Sequence, residues 1–305
     1  MSHIKSTITI GFIGQGYVGK NYADDFEMRG YVVKRYAKDG EHSSVDCQDA
    51  IKECDVVFVA VPTPTTPSGF DAGTLRQVIP LTRPSSVVVI KSTLVPGLTQ
   101  TLQDEFPDRV ILHSPEFLSE ATATHDTQHP FMNIIGIPRT TREHEQAAEL
   151  ILSILPPSAY QSVVSSDEAE IIKYSHNCSG YVGIIFFNLM YDITQKLGAD
   201  WSVVEAALRA DPYIPHTYIS PMHKSGRGAG GHCFIKDMAA LSQVYQRVVG
   251  DGAGVNVLKS VEEKNKMLLR DSGKNVDLLN GVYGEEHVSM PLTQSVASVL
   301  NTTMR

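Results

Sequence analysis

The chain has 305 residues, 42% hydrophobic and 20% charged, which fits a soluble globular protein of two domains, or of one domain with a helical extension. A net charge of -8 argues against general affinity for nucleic acid or anionic membrane, so an anionic substrate would need a local cationic site. The four cysteines form no C-x-x-C pair, and Met1-Ser2-His3-Ile4-Lys5 leads straight into a strand pattern; free thiols in a reducing cytoplasm are expected.

Residues 7–13 read as a short buried strand, followed at once by Gly14-Gln15-Gly16-Tyr17-Val18-Gly19 and a helix pattern to Arg29, closed by Gly30. Residues 31–36 are a second strand. This is a dinucleotide fingerprint in its required context: Gly14 makes the turn, Gly16 lets the backbone reach a pyrophosphate, and Gly19 permits helix–strand packing. A ribose-binding carboxylate usually ends the second strand. Here Asp39 takes that role from a shifted position, or Lys34, Arg35 and Lys38 welcome the extra phosphate of NADP.

Residues 46–53 predict a short helix, and 55–61 an apolar run of strand length, as in a parallel sheet buried on both faces. That run ends in Pro62-Thr63-Pro64-Thr65. Further strands are predicted at 86–91, 110–113 and 133–137; the first ends at Ser92-Thr93, the second at Ser114-Pro115-Glu116-Phe117-Leu118-Ser119-Glu120. Polar residues thus recur just after strand ends, the edge where an open parallel sheet binds ligands, and Thr93, Glu116 and Glu120 are candidates for a site there. His125 and His129 have metal-like spacing but no third ligand, and read as surface residues.

Ser165-Ser166-Asp167-Glu168 is a capping box, and the helix it opens runs unbroken to about Lys196, with Gly198 closing it. At roughly 30 residues such a helix suits a domain connection and a subunit interface. Lys173 and Asn177, four apart, share one face and either line a cavity or mark the wet side; Cys178 reads as packing. The longest apolar run, Tyr181 to Tyr191, is interrupted by Gly183 and Asn188 and is too short to span a bilayer. Helices are expected at 201–209, from Lys236 to about Val248, and from 255 to about 270. The tail shows no clear periodicity until a candidate helix at 293–304.

Gly226-Arg227-Gly228-Ala229-Gly230-Gly231-His232-Cys233-Phe234-Ile235-Lys236-Asp237 is the most informative stretch. Its glycines allow close backbone approach to a ligand. Cys233 falls where loop becomes helix, and the helix end with Lys236 one turn away is expected to favour thiolate. A thiolate beside a lysine and a carboxylate is a nucleophile with an oxyanion stabiliser and a proton acceptor.

Together these segments resemble the UDP-glucose/GDP-mannose dehydrogenases over roughly residues 7–270. The resemblance is carried by G-x-G-Y-V-G at 14–19, V-P-T-P at 61–64, K-S-T with P-G at 91–97, P-E-F-L-x-E at 115–120, A-E-x-x-K-x-x-x-N at 169–177, G-A-D at 198–200 and G-x-G-x-G-G-x-C-x-x-K-D at 226–237. It implies a Rossmann-type doubly wound parallel sheet (1–164), a long central helix with a helical dimerisation domain (165–270) and a tail (271–305). The implied activity is oxidation of a nucleotide-sugar primary alcohol to the carboxylate, in two hydride transfers to NAD, by a homodimer paired through the long helix.

Carried over residue by residue, the resemblance makes Cys233 the nucleophile that forms a thiohemiacetal and then a thioester. Lys173 and Asn177 stabilise the oxyanion, Asp237 orients water or protons, and Thr93 and Glu120 act around water and proton transfer. Gly14 to Gly19, Asp39, Val61, Pro62, Thr63, Thr93, Glu120 and Lys236 hold the cofactor. Glu116, Phe117, Leu118, Lys173, Asn177, Gly226, Gly228, Gly230 and Gly231 hold the substrate. The sequence departs from the family's pattern in places. Asp211-Pro212-Tyr213-Ile214 lacks the expected arginine, Met132 replaces another, and residues 271–305 leave about 35 positions where a nucleotide-gripping domain would begin. These departures keep open a smaller alcohol or hydroxy acid as substrate, or an idle dinucleotide-binding protein.

Overall fold

The computed structural model describes residues 8–38 and 47–285, so Asp39 and the candidate helix at 293–304 lie outside the described residues. A seven-stranded sheet runs in the order β2-β1-β3-β6-β7-β8-β9. Its strands are β1 (Thr9–Ile13), β2 (Val32–Tyr36), β3 (Val56–Val59), β6 (Val87–Ile90), β7 (Val110–His113), β8 (Met132–Ile137) and β9 (Tyr160–Ser165). The reversal of strand order beside β1 is the topological switch point at which such sheets bind ligands. β4 (Thr65–Thr66) and β5 (Gly69–Phe70) form a small hairpin after β3.

The sheet is mostly parallel, with one correction to the expected pattern: β8 runs antiparallel to β7, while β9 is parallel to β8. The β7–β8 connection holds only the short helix α5 (Ala123–Gln128), which returns the chain without a full crossover. β9 escapes the sequence reading because its residues alternate between half-buried and exposed at the sheet margin.

Helices α1 (Tyr17–Met28), α2 (Cys47–Lys52), α3 (Gly73–Val78), α4 (Leu98–Glu105) and α6 (Arg142–Ile154) cover both faces. One apolar core gathers Phe12, Phe26 and Phe58 with Ile151 and Ile154; the other gathers Ile51, Val57, Leu75, Val88 and Leu102. Phe12 stacks on Phe58 at 5.0 Å and meets Phe26 edge-on at 5.6 Å. Full burial of each ring contributes about 1.5–3 kcal/mol before packing geometry is counted.

Helix α7 (Ser166–Lys196) has 31 residues, about 46 Å at 1.5 Å per residue. Ser165 Oγ accepts from Glu168 N at 3.3 Å, and Glu168 Oε2 accepts from Ser165 N at 2.8 Å, so the capping box is complete. Glu170, fully buried near its start, accepts from the N–H groups of Gly97 (2.7 Å) and Thr99 (2.8 Å) and from Thr99 Oγ1 (2.6 Å). These bonds fasten the long helix to the first turn of α4.

The second unit packs α8 (Trp201–Ala210), α9 (Gly231–Val248), α10 (Gly252–Asp271) and α11 (Val276–Tyr283) around α7, with the hairpin β10–β11 (Met222–His223, Gly226–Arg227) ahead of α9. Three expected boundaries move. α9 begins at Gly231 rather than Lys236, because its first turn, Gly-His-Cys, carries no apolar marker. α10 begins at Gly252, capped by Asp251, whose Oδ1 accepts from Gly254 N at 2.8 Å. Residues 271–285 form an integral layer: Leu279 of α11 packs on Ile235 and Leu269. Among the described residues no helix is long and apolar enough to cross a membrane.

Candidate active site

The fingerprint turn is built as its glycines require. Gly14 has φ of +89°, and a Cβ there would lie 2.2 Å from the Ala60 carbonyl oxygen; a Cβ on Gly19 would lie 1.9 Å from that of Gly14. Both glycines let α1 sit close on β1 and β3. Gly16 is different, since nothing lies within 4 Å of its missing side chain. It precedes a helix start with neither a side-chain cap nor an acidic residue in its first turn. Free N–H groups, a helix dipole and open space above Gly16 fit a pyrophosphate, so the turn suits the diphosphate of NAD.

Around the turn, Gln15 is buried, Val18 is half-buried, and Gln15 Oε1 accepts from Arg35 Nη1 at 3.3 Å. Arg35 also pairs with Asp24 (2.8 Å) and Glu27 (2.7 Å). Its charge is thus met within the chain, which weakens the reading that it welcomes a second phosphate. Val61 is tied through both backbone polar groups to Ser92 Oγ, and Thr63 Oγ1 donates to the Thr93 carbonyl at 2.9 Å. Thr63 thus turns inward and braces the loop carrying Thr93, while Pro62 is exposed.

Candidates from three distant segments converge: the loop after β7, α7 and α9. Lys173 and Asn177 lie on the buried face of α7, which settles their placement: they face inward, not to water. Lys173 Nζ donates to the Glu116 carbonyl oxygen and to Glu116 Oε1 (3.2 Å), and lies 5.3 Å from the centre of the Phe117 ring. Glu116 Oε2 accepts from Leu118 N at 2.7 Å, which folds the P-E-F-L loop back on itself. Asn177 Nδ2 donates to Asp237 Oδ2 at 2.6 Å, and Lys236 Nζ donates to Asp237 Oδ1 at 2.5 Å. Lys236 and Asp237 are therefore a coupled pair, and the adjacent charges raise the Lys236 ammonium above its ordinary value despite its burial.

Cys233 stands in the first turn of α9, half-buried, with the Tyr17 hydroxyl 3.8 Å from its Sγ. The expected thiolate is corrected here. Burial pushes the thiol above its ordinary range; Asp237 and Glu116 add to that, while Lys236 and Lys173 pull the other way. The cation counted on at sequence level is largely neutralised by its own neighbour, Asp237.

Glu120 stands apart from this cluster. It is exposed, 3.9 Å from Lys224 Nζ, and lines with Tyr17, Asn21 and Thr124 a polar cavity of about 360 Å³. The glycine run also divides. A Cβ on Gly226, Gly228 or Gly230 would strike Ser272, Asn265 or Asn275 at 2.4, 2.9 or 2.2 Å, so these three face protein; only Gly231 is open.

The residues that shape this loop were missed in the sequence. Lys274 Nζ donates to the carbonyls of Gly226 (3.2 Å) and Gly228 (2.8 Å), Asn265 brackets Ala229 through both backbone groups, and Asn275 Oδ1 accepts from Gly231 N at 3.0 Å. Their signal was Gly273 and Asn275, both of positive φ, marking an ordered turn after α10.

Comparison with known proteins bears on the family and the fold. Residues 27–154 match the NAD binding domain, and residues 167–267 the central domain, of the UDP-glucose/GDP-mannose dehydrogenase family. Putative UDP-glucose 6-dehydrogenase YtcA of Bacillus subtilis (strain 168) is 31% identical over 216 residues, 67% of this chain and 49% of that protein. UDP-glucose 6-dehydrogenase AglM of Haloferax volcanii is 30% identical over 260 residues, 76% of this chain and 59% of that one. The chain thus spans about half the length of the curated relatives it matches.

Among solved structures, a UDP-glucose dehydrogenase from Pyrobaculum islandicum superposes with a TM-score of 0.72 at 24% identity, covering 86% of this chain and 69% of that one. The 3-hydroxyisobutyrate dehydrogenase of Mycobacterium tuberculosis superposes at 0.68 with 15% identity, covering 90% and 98%, a likeness of fold alone. With both domain models in sequence along it and relatives at about 30% identity, the chain belongs to the UDP-glucose/GDP-mannose dehydrogenase family.

Proposed function

We propose that the protein oxidises the primary alcohol of a nucleotide sugar, of the UDP-glucose kind, to the carboxylate, with Cys233 as covalent nucleophile. The observation that carries this reading is the convergence of the Cys233 thiol with Lys173, Asn177 and Asp237 beside the fingerprint turn. NAD, when bound, supplies hydride acceptance in each of the two oxidations. The chain's own groups do the rest. Cys233 Sγ adds to the carbonyl carbon of the aldehyde formed first, giving up its proton as the carbon–sulfur bond forms. Lys173, held by Glu116, and Asn177, held by Asp237, donate to the oxygen of the resulting thiohemiacetal. Its oxidation leaves a thioester; water then adds, and the carbon–sulfur bond breaks to give the acid and the restored thiol. Thr93, buried beside the Val61–Thr63 loop, and Glu120, at the cavity rim, act on water and proton movement.

The test is reduced cofactor formed per substrate consumed, with a panel of nucleotide sugars and both NAD and NADP. Two per acid, and loss of acid formation in Cys233→Ser, supports the reading. One per substrate with an aldehyde or keto product, or unchanged acid from Cys233→Ser, overturns it.

We also infer pairing of two copies along α7. Ile171, Val182, Phe186, Leu189 and Ile193 are exposed at helical spacing, beside an apolar groove of about 560 Å³ floored by Tyr174, Cys178 and Met238. Sedimentation equilibrium is expected to give a dimer that Phe186→Glu dissociates; a monomeric native protein refutes this.

A further inference from the structure

Tyr17 and Cys233 are 216 positions apart, yet their side chains meet at 3.8 Å. Tyr17 is the first residue of α1, directly after the open Gly16. The contact therefore joins the dinucleotide-binding turn to the sulfur atom itself.

The other groups around that sulfur come in opposing pairs: Lys236 and Asp237 from its own helix, Lys173 from α7, and Glu116 from the loop after β7. Each cation is hydrogen-bonded to one of those carboxylates. Burial is the largest cause holding the proton on the thiol, the two carboxylates add to it and the two cations oppose it; a neutral donor at the sulfur would act with the cations to favour thiolate over thiol. In the Tyr17–Cys233 contact either the oxygen or the sulfur can carry the hydrogen, and once the sulfur has lost its proton the phenol is placed to be that donor. Burial and the neighbouring Glu116, Cys233 and Glu120 hold its proton far above the ordinary range, so it remains a hydroxyl throughout the working pH range. Its backbone is fixed by Asn21, whose Nδ2 donates to the Tyr17 carbonyl at 2.6 Å.

We propose that Tyr17 is a positioning residue for Cys233: its hydroxyl donates to Sγ, favours the thiolate, and fixes the nucleophile against the cofactor-binding turn. The catalytic meaning of this rests on the role proposed above for Cys233, but its test does not.

The rate of iodoacetamide alkylation at Cys233, followed by mass spectrometry of its peptide, is measured from pH 6 to 10 in the wild-type protein and in Tyr17→Phe. Loss of one hydrogen bond to a partly exposed sulfur is expected to move the alkylation midpoint upward by about 0.5–1 pH unit. The thermal midpoint should stay unchanged, since the ring is retained and is 38% exposed. Restoring a donor at the same ring position, by 4-aminophenylalanine at position 17, is expected to recover part of that change. An unchanged or lowered midpoint in Tyr17→Phe overturns the proposal. If Tyr17→Phe moves the midpoint while Cys233→Ser still makes acid, Tyr17 positions the thiol and the thioester mechanism is what fails. If Tyr17→Phe leaves the midpoint in place while Cys233→Ser blocks acid formation, the reverse holds.

Discussion

Lys91 offers a quantitative test of the electrostatics beneath the site. It directly follows β6, is 3% exposed, donates to Ser114 Oγ at 3.1 Å, and lies 4.3 Å from the centre of the Tyr22 ring. Burial pushes it from its ordinary 10.5 down to about 7, with Glu116 opposing the fall and Lys173 adding to it. The neighbouring His113 is pushed down to about 3 by burial and stays neutral. Between about pH 7 and 10.5 the unfolded chain keeps the Lys91 proton and the folded chain releases it, so this group makes stability rise with pH across that window. At about 1.4 kcal/mol per pH unit, the gain between pH 7 and pH 9 is about 2 kcal/mol.

Lys91→Met removes this dependence. Urea unfolding of both proteins at pH 6, 7, 8 and 9 should show the variant's stability, relative to wild type, falling by about 2 kcal/mol from pH 7 to pH 9. Comparing the two proteins cancels the other titrating groups. Curves that stay parallel within about 0.5 kcal/mol over that range would refute the claim that Lys91 is buried with a depressed proton affinity.

Glu170 behaves in the opposite sense. Burial raises it to about 7 against the pull of its hydrogen bonds from Thr99 and Gly97. The folded state therefore binds the extra proton between about pH 4.5 and 7, and stability from this group falls as pH rises through that window. Glu170→Ala leaves buried donors unmet and is expected to cost about 2–4 kcal/mol in urea unfolding; a cost below about 1 kcal/mol would show that the α4–α7 fastening is unimportant. The two fingerprint glycines separate binding from folding. Gly16→Ala should keep the wild-type thermal midpoint but weaken NAD binding at least tenfold in calorimetric titration, whereas Gly19→Ala should lower the midpoint sharply, because its Cβ would fall 1.9 Å from a carbonyl oxygen. Equal effects of the two on stability would contradict the geometry.

How far the sequence was legible depended on whether a residue's partner was near or distant. The fingerprint, the capping box and the Lys173–Asn177 spacing are local patterns, and each folds as its spacing implies. The thiolate expectation left out burial of the sulfur, the largest cause of its raised proton affinity, and the pairing of Lys236 with Asp237, which depends on a side-chain direction that spacing does not give. Gly226, Gly228 and Gly230 looked open to a ligand because the residues that fill the space beside them lie some forty positions later. β9 went unseen because a half-exposed edge strand has no apolar run to mark it.

The clamp formed by Asn265, Ser272, Lys274 and Asn275 on the glycine loop has a consequence for how the molecule comes into being. Domains fold largely in order of synthesis, at roughly 5–20 residues per second. The sheet and its dinucleotide turn are complete once β9 has left the ribosome. The loop that carries the thiol cannot take its shape until residue 275 has followed, and α11 seals it only after Tyr283. During that interval the nascent chain carries a formed dinucleotide-type turn and an unplaced thiol, so the site proposed around Cys233 is completed last, by segments that follow it in the sequence.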